Sequence, residues 1–235
     1  MFTHYRTLGF VIKKTDRGEA DRFFTIYTEK FGKLELLAKA ERKINSKLRS
    51  GLELFYLSEI EFIQGKANKT LTDALVIEKF DKLRNDLISL NIAYKASEVL
   101  DNLIKGQEPD EEIWQLIDDT FKKLNISHLE IIYYYFFWNL LSILGYQPDL
   151  YNCSICQEKL TPEKIYLNIK EGGLICQNCF KKVKSGKEIS PEIVKILRLI
   201  IKRNWPILSK LRVEEKDLKS LEAVSELIYS YLKSQ

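Results

Sequence analysis

The sequence predicts an α+β chain: a five-stranded β-barrel at the N-terminus, then an α-helical region carrying an inserted four-cysteine module. Three observations predict it. From residue 5 to 77 apolar residues recur with a period of two, as on one face of a strand. From about Asp81 the period becomes helical. All four cysteines fall in one stretch, as Cys153-Ser-Ile-Cys156 and Cys176-Gln-Asn-Cys179. The expected division is a barrel over 1–80 and a helical domain over 81–235, with the cysteine module at 151–181.

In the barrel, Leu8, Phe10 and Ile12 alternate with Gly9, Val11 and Lys13. Phe24, Ile26 and Thr28 follow the same rule, as do Leu34, Leu36 and Ala38, then Ser58, Ile60 and Phe62, and finally Thr70 to Ile77. Turn-like pieces separate them: Thr15 to Gly18, Lys30 to Gly32, and Gln64 to Asn68. Five short strands in under 80 residues suit the oligonucleotide-binding (OB) barrel, whose exposed face and loops take single strands.

The helical region begins with Leu83, Leu87, Leu90 and Tyr94 expected on one face, continuing to Val99 and Leu103, with Gly106 as the stop. Asp110 is the expected N-cap of a second helix that buries Ile113, Leu116, Ile117, Phe121 and Leu124. Ser127-His-Leu-Glu130 reads as a capping box for a third, apolar nearly all round, which Gly145 ends. Its run from Ile131 to Leu144 would rise about 21 Å, short of the roughly 30 Å bilayer core, so a buried helix is expected rather than a membrane span. Ser190-Pro191 opens a helix through Ile193, Ile196, Leu197, Ile200 and Ile201. A last helix, roughly 214–232, aligns Leu218, Leu221, Val224, Ile228 and Tyr231.

A two-residue gap inside each cysteine pair lets both thiolates reach one tetrahedral ion, and the longer gap suits a hairpin that brings the pairs together. Four sulfurs fill the sphere of Zn²⁺, so one zinc per chain is expected, in a structural role. Two disulfides, or four unrelated buried thiols, are the competing readings. The start, MFTHYRTLGFVIKK, shows no apolar run before a small-residue cleavage site. A reducing, cytoplasmic setting is therefore expected, and it favours metal.

Catalytic constellations are not apparent. Histidine occurs only as His4 and His128, both expected at the surface or in packing, and no phosphate loop, HExxH helix or GxSxG elbow occurs. The carboxylates of 108–119 lie where they favour a helix start, and Gly172-Gly173 reads as a turn. No enzymatic activity is expected. Charge is distributed unevenly: twelve Lys/Arg against six Asp/Glu over 1–50, seven against fifteen over 51–120, and sixteen against ten over 151–235. Such runs are either solvated faces or polyanion contacts.

The basic stretch after the third strand favours the second reading. It holds Lys39, Arg42, Lys43, Lys47 and Arg49, with Lys13, Lys14, Arg22 and Lys33 near strand ends. Phe23, Tyr27, Phe31, Phe55 and Tyr56 interleave and could stack on bases, whereas Phe24 and Phe62 read as core. A loop of this kind would touch phosphate, giving strong salt dependence and little sequence preference.

These residues carry a resemblance. Gly18 to Arg22, Tyr27-Thr28, Phe31-Gly-Lys33, Ala38-Lys39, Ser46-Lys-Leu-Arg49, Phe55 and Leu71 to Ala74 are similar to the start of the bacterial RecO recombinational-repair family. Gly145 to Leu150 before the first cysteine pair, and Glu171-Gly-Gly173 before the second, fit the same family in the same order. Two departures stand out: Ala40-Glu41 replaces a small Gly-containing turn, and Leu54 replaces a proline before Phe55.

The resemblance implies a non-enzymatic mediator of DNA repair and recombination. It would bind single- and double-stranded DNA, anneal complementary strands and work with RecR. It would also engage the acidic C-terminal tail of single-strand-binding protein and help load RecA onto coated DNA. Arg198, Lys202 and Arg203, expected on one helix beside Trp205, are a candidate place for that tail. The alternative class is a zinc-containing interaction adaptor whose nucleic-acid contact is incidental.

Overall fold

Each of the five predicted strands forms, in a computed structural model that describes residues 3–127, 129–161 and 164–234. They are β1 (His4–Arg17), β2 (Asp21–Thr28), β3 (Gly32–Ala38), β4 (Leu57–Gln64) and β5 (Lys69–Glu78). They close into a barrel in the order β1-β2-β3-β5-β4, sealed by a short parallel pairing of Leu36 with Lys69 and Leu37 with Thr70. Alternation fills the interior with Phe24, Ile26, Leu34, Leu36, Ile60 and Phe62, and a bulge between Val11 and Lys13 bends the long first strand.

Residues 1–128 and 129–235 form two compact units. In the first, α1 (Asp81–Arg84), α2 (Leu87–Leu103) and α3 (Glu111–Leu124) accompany the barrel. The reason is legible in β1 and β2, whose outward residues Phe10 and Tyr27 are apolar as well. Phe10 meets Trp114 at 5.1 Å and Phe121 at 5.2 Å between ring centres, and the Tyr27 hydroxyl donates to the Asp110 carbonyl at 3.4 Å.

Two helix expectations need correction. The helix expected from Asp81 breaks at Asn85 and restarts where the Asp86 carboxylate accepts from the Ser89 N–H, 2.7 Å away. The restart shifts the phase: Ile92, Ala93, Ala96, Val99 and Leu100 are buried, while Leu87 and Tyr94 are exposed. The capping box does not form, because the Ser127 hydroxyl donates back to the Lys123 carbonyl and Glu130 opens the next helix without a side-chain cap. His128 lies outside the described residues.

The second unit holds α4 (Ile131–Ile143), a three-stranded sheet of β6 (Ile165–Asn168), β7 (Gly173–Cys176) and β8 (Lys187–Ile189), and α5 (Gln177–Val183), α6 (Pro191–Ile201), α7 (Trp205–Leu208) and α8 (Glu215–Lys233). Helix α4 is buried on nearly every side, with contacts to α6 and α8. Two of its buried polar groups are answered inside: the Trp138 indole donates to the Ser225 hydroxyl, and the Asn139 amide donates to the carbonyls of Tyr135 and Ile200. Asp110 and Ser190 cap their helices, and Gly145 takes a positive φ just past α4. No helix among the described residues is long and apolar enough to cross a membrane.

The Ala40 departure has a structural cost. Ala40 sits at φ +54°, a left-handed conformation that disfavours any residue with a Cβ. Ala40→Gly is expected to stabilise the first unit by about 1 kcal/mol, read as a rise in the denaturation midpoint at unchanged slope.

Candidate metal centre and nucleic-acid interface

The first knuckle is a tight turn. The Cys153 N–H donates to the Glu158 carbonyl at 2.8 Å, the Gln157 N–H donates to the Cys153 carbonyl at 2.9 Å, and Gln157 absorbs the reversal at φ +61°. The second lies where β7 runs into α5: Cys176 precedes the helix and Cys179 falls in its first turn, so both sulfurs leave on one side. A bond from the Ser154 N–H to the Leu174 carbonyl ties the knuckles together, and Tyr166 stacks on Phe180 at 3.7 Å beneath them.

The four sulfurs lie within 4.8 Å of one another, with Cys156 and Cys176 at 3.9 Å. A tetrahedral ion with metal–sulfur bonds of about 2.3 Å needs sulfurs about 3.8 Å apart. The donor set therefore fits one four-coordinate ion with no open position, and all four cysteines are free of disulfides. Burial opposes ionisation of Cys153, but N–H groups of Cys156, Cys176 and Ile155 point at its sulfur and bring the thiol down to about 6. Burial, reinforced by the neighbouring thiols, pushes Cys179 up to about 12. Without a cation, Cys153 therefore ionises far more readily than Cys179. Metal must displace the remaining protons, so metal uptake strengthens as pH rises.

The basic stretch leaves β3 as an ordered loop. The Ala40 N–H donates to the Asp21 carboxylate at 2.8 Å and the Arg42 N–H to the Ala20 carbonyl at 3.0 Å, fastening the loop to the β1–β2 turn. Glu41 is only 1% exposed and accepts from Arg22, which also donates to Asp16. Beyond the loop's tip, Leu48 and Leu52 enter the barrel core. Lys39, Lys43, Lys47 and Arg49 stay exposed and make no ion pair among the described residues. Arg42 is half-engaged, donating to the Gly18 carbonyl at 3.2 Å and lying 3.5 Å from Asp16. Arg17, which the charge pattern did not single out, is exposed at the same turn, with its guanidinium over Phe23.

The other sequence-predicted cations are engaged elsewhere. Lys13 and Lys33 converge on Asp101 of α2: Lys13 donates to its carboxylate at 2.7 Å, and Lys33 donates to its backbone carbonyl at 2.6 Å. Burial opposes ionisation of Asp101, yet the two ammonium groups hold its carboxyl below the usual range. Lys14 pairs with Glu53 at 2.9 Å, and Arg22 is committed to Glu41 and Asp16. Among the rings expected to stack on bases, Tyr27 and Phe55 are fully buried, a correction that follows from the helices covering that face. Phe23, Phe31 and Tyr56 are half-buried.

In the second unit, only Arg198 of the predicted set lies within α6. Lys202 caps the helix, Arg203 follows at φ +52°, and Trp205 begins α7. Arg198 donates twice to the Leu150 carbonyl, at 3.1 and 2.5 Å, and lies over Tyr151, steadying the segment that enters the first knuckle. Lys202 is 6.0 Å from the same ring; Arg203 donates to Asn139, and Trp205 packs edge-on to Tyr135.

Two family models match the chain, Recombination protein O N terminal over residues 1–80 and Recombination protein O C terminal over residues 84–233. A DNA repair protein RecO of Dehalococcoides mccartyi is 33% identical over 219 residues, 93% of this chain and 86% of that protein. Proteins of the same name from Acetivibrio thermocellus (31% over 226 residues, 95% and 89%) and Desulforamulus reducens (29% over 228 residues, 97% and 88%) are similar along nearly the whole chain.

Proposed function

Because this chain belongs to the RecO family of DNA repair proteins, we propose that it is a mediator that grips the DNA backbone through the 39–49 loop. The observation that carries this reading is the loop itself: four exposed cations without ion pairs, held on a fastened loop beside a barrel. A fastened loop loses little conformational freedom on binding, and cations without internal partners need give up no ion pair to reach phosphate. Single- and double-stranded DNA present the same phosphates, so both are substrates. Neutralising two strands on one surface favours their annealing.

In this reading the metal is zinc, one per chain, held by Cys153, Cys156, Cys176 and Cys179 purely as a staple. The protein acts without catalysis of its own, together with RecR, on DNA coated by single-strand-binding protein, and helps RecA to load. Annealing of complementary strands coated with single-strand-binding protein tests it. The expected result is annealing that depends on the coat protein's C-terminal tail. Annealing indifferent to the tail would reduce the protein to a generic DNA binder. Absence of both DNA binding and annealing would favour the adaptor.

A further inference from the structure

The loop also carries an apolar residue with no task in the fold. Ile44 is 90% exposed, the most exposed large hydrophobic side chain among the described residues. It occupies the first central position of a turn closed by the Ser46 N–H donating to the Lys43 carbonyl at 3.0 Å. Such positions ordinarily take proline or a short polar residue, and a β-branched apolar side chain there contributes nothing to the turn. The backbone on both sides is fixed: Lys43 N–H donates to the Ala40 carbonyl before the apex, and Leu48 is rooted in the barrel core after it. Exposed Ile126 offers a contrast, because Lys122 and Lys123 beside it are paired with Asp118 and Asp119. Around Ile44, Lys43, Lys47 and Arg49 make no ion pair among the described residues, and Arg42 alone is held, by Gly18 and Asp16.

We propose that Ile44 is an apolar wedge that caps the exposed base pair at a junction between single- and double-stranded DNA. This rests on the reading of the loop as a backbone grip. With Lys43, Lys47 and Arg49 on phosphates, the turn apex points its aliphatic side chain at whatever the backbone encloses. Apolar wedges in other nucleic-acid binders enter between base steps, but opening an internal step costs more than one isoleucine regains by burial. A junction already offers an open base-pair face. A lone single strand gains less, since its bases stack best on flat rings and Ile44 is not one.

The test compares Ile44→Ala with the unaltered protein on three probes of equal length: single strand, blunt duplex, and a duplex with a single-strand overhang carrying 2-aminopurine at the junction. The expected result is about fivefold weaker binding to the junction probe, with the other two within about twofold. The protein-induced change in junction fluorescence is expected to be lost, at unchanged melting temperature. Equal weakening on all three probes, or none on any, would overturn the wedge while leaving the backbone grip standing. Failure of the unaltered protein to bind any probe would overturn both.

Discussion

Cys176→Ala is expected to abolish stoichiometric zinc and lower the melting temperature of the second unit by about 10 °C or more. Beyond the buried residues of β6 and β7, little else holds the two knuckles together. The module's sheet consists of strands of four, four and three residues, and the first knuckle is joined to the second by the bond from Ser154 to Leu174 and by the Cys176 N–H donating to the Cys153 sulfur. Removing one sulfur leaves three ligands and a position open to water. Burial pushes the Cys179 thiol up, so it gives up its proton reluctantly without the ion. Zinc content by atomic absorption, thermal melting and limited proteolysis between 153 and 179 check this outcome. DNA binding is expected to survive, because the loop cations belong to the other unit. A variant that keeps both zinc and full stability would refute the staple.

Changing Arg42, Lys43, Lys47 and Arg49 together to alanine is expected to weaken single-strand binding by about a hundredfold or more at low salt, for all sequences alike. Folding should be little affected. Lys43, Lys47 and Arg49 make no ion pair among the described residues, and Arg42 loses only a carbonyl contact and a long pair with Asp16. The same change at Lys13, Lys14 and Lys33 is expected to act mainly on stability, since those groups answer Asp101 and Glu53. Equilibrium titration of labelled oligonucleotides, with melting curves as control, separates the two sets.

That division among the cations was not legible in the sequence. Lys13 and Asp101 are 88 residues apart, and no local pattern announces their meeting. The strands were legible because each must alternate to fill a closed barrel, and the cysteine site because two short spacings bring four sulfurs to one ion. The outward face of the barrel was not, because Phe10 and Tyr27 look like any strand residues until α3 covers them. Helix phase failed at one point for a local reason: the Asp86 carboxylate offered the backbone a cap, and everything after it rotated. Glu41 shows the same limit from the other side. In the sequence it stands only as a departure from the family pattern, yet it is the buried anion that Arg22 holds in place. Ile44 carried no signal beyond lying among lysines, and only its 90% exposure set it apart.

The central claim is that the 39–49 loop meets phosphate, and the salt dependence of single-strand affinity tests it most directly. For the unaltered protein, log affinity should fall linearly with log salt, with a slope of about −0.7 per phosphate contacted. With Arg42, Lys43, Lys47 and Arg49 replaced, the slope should flatten by up to about 3. An unchanged slope in a folded variant would place the DNA contact elsewhere and contradict the account.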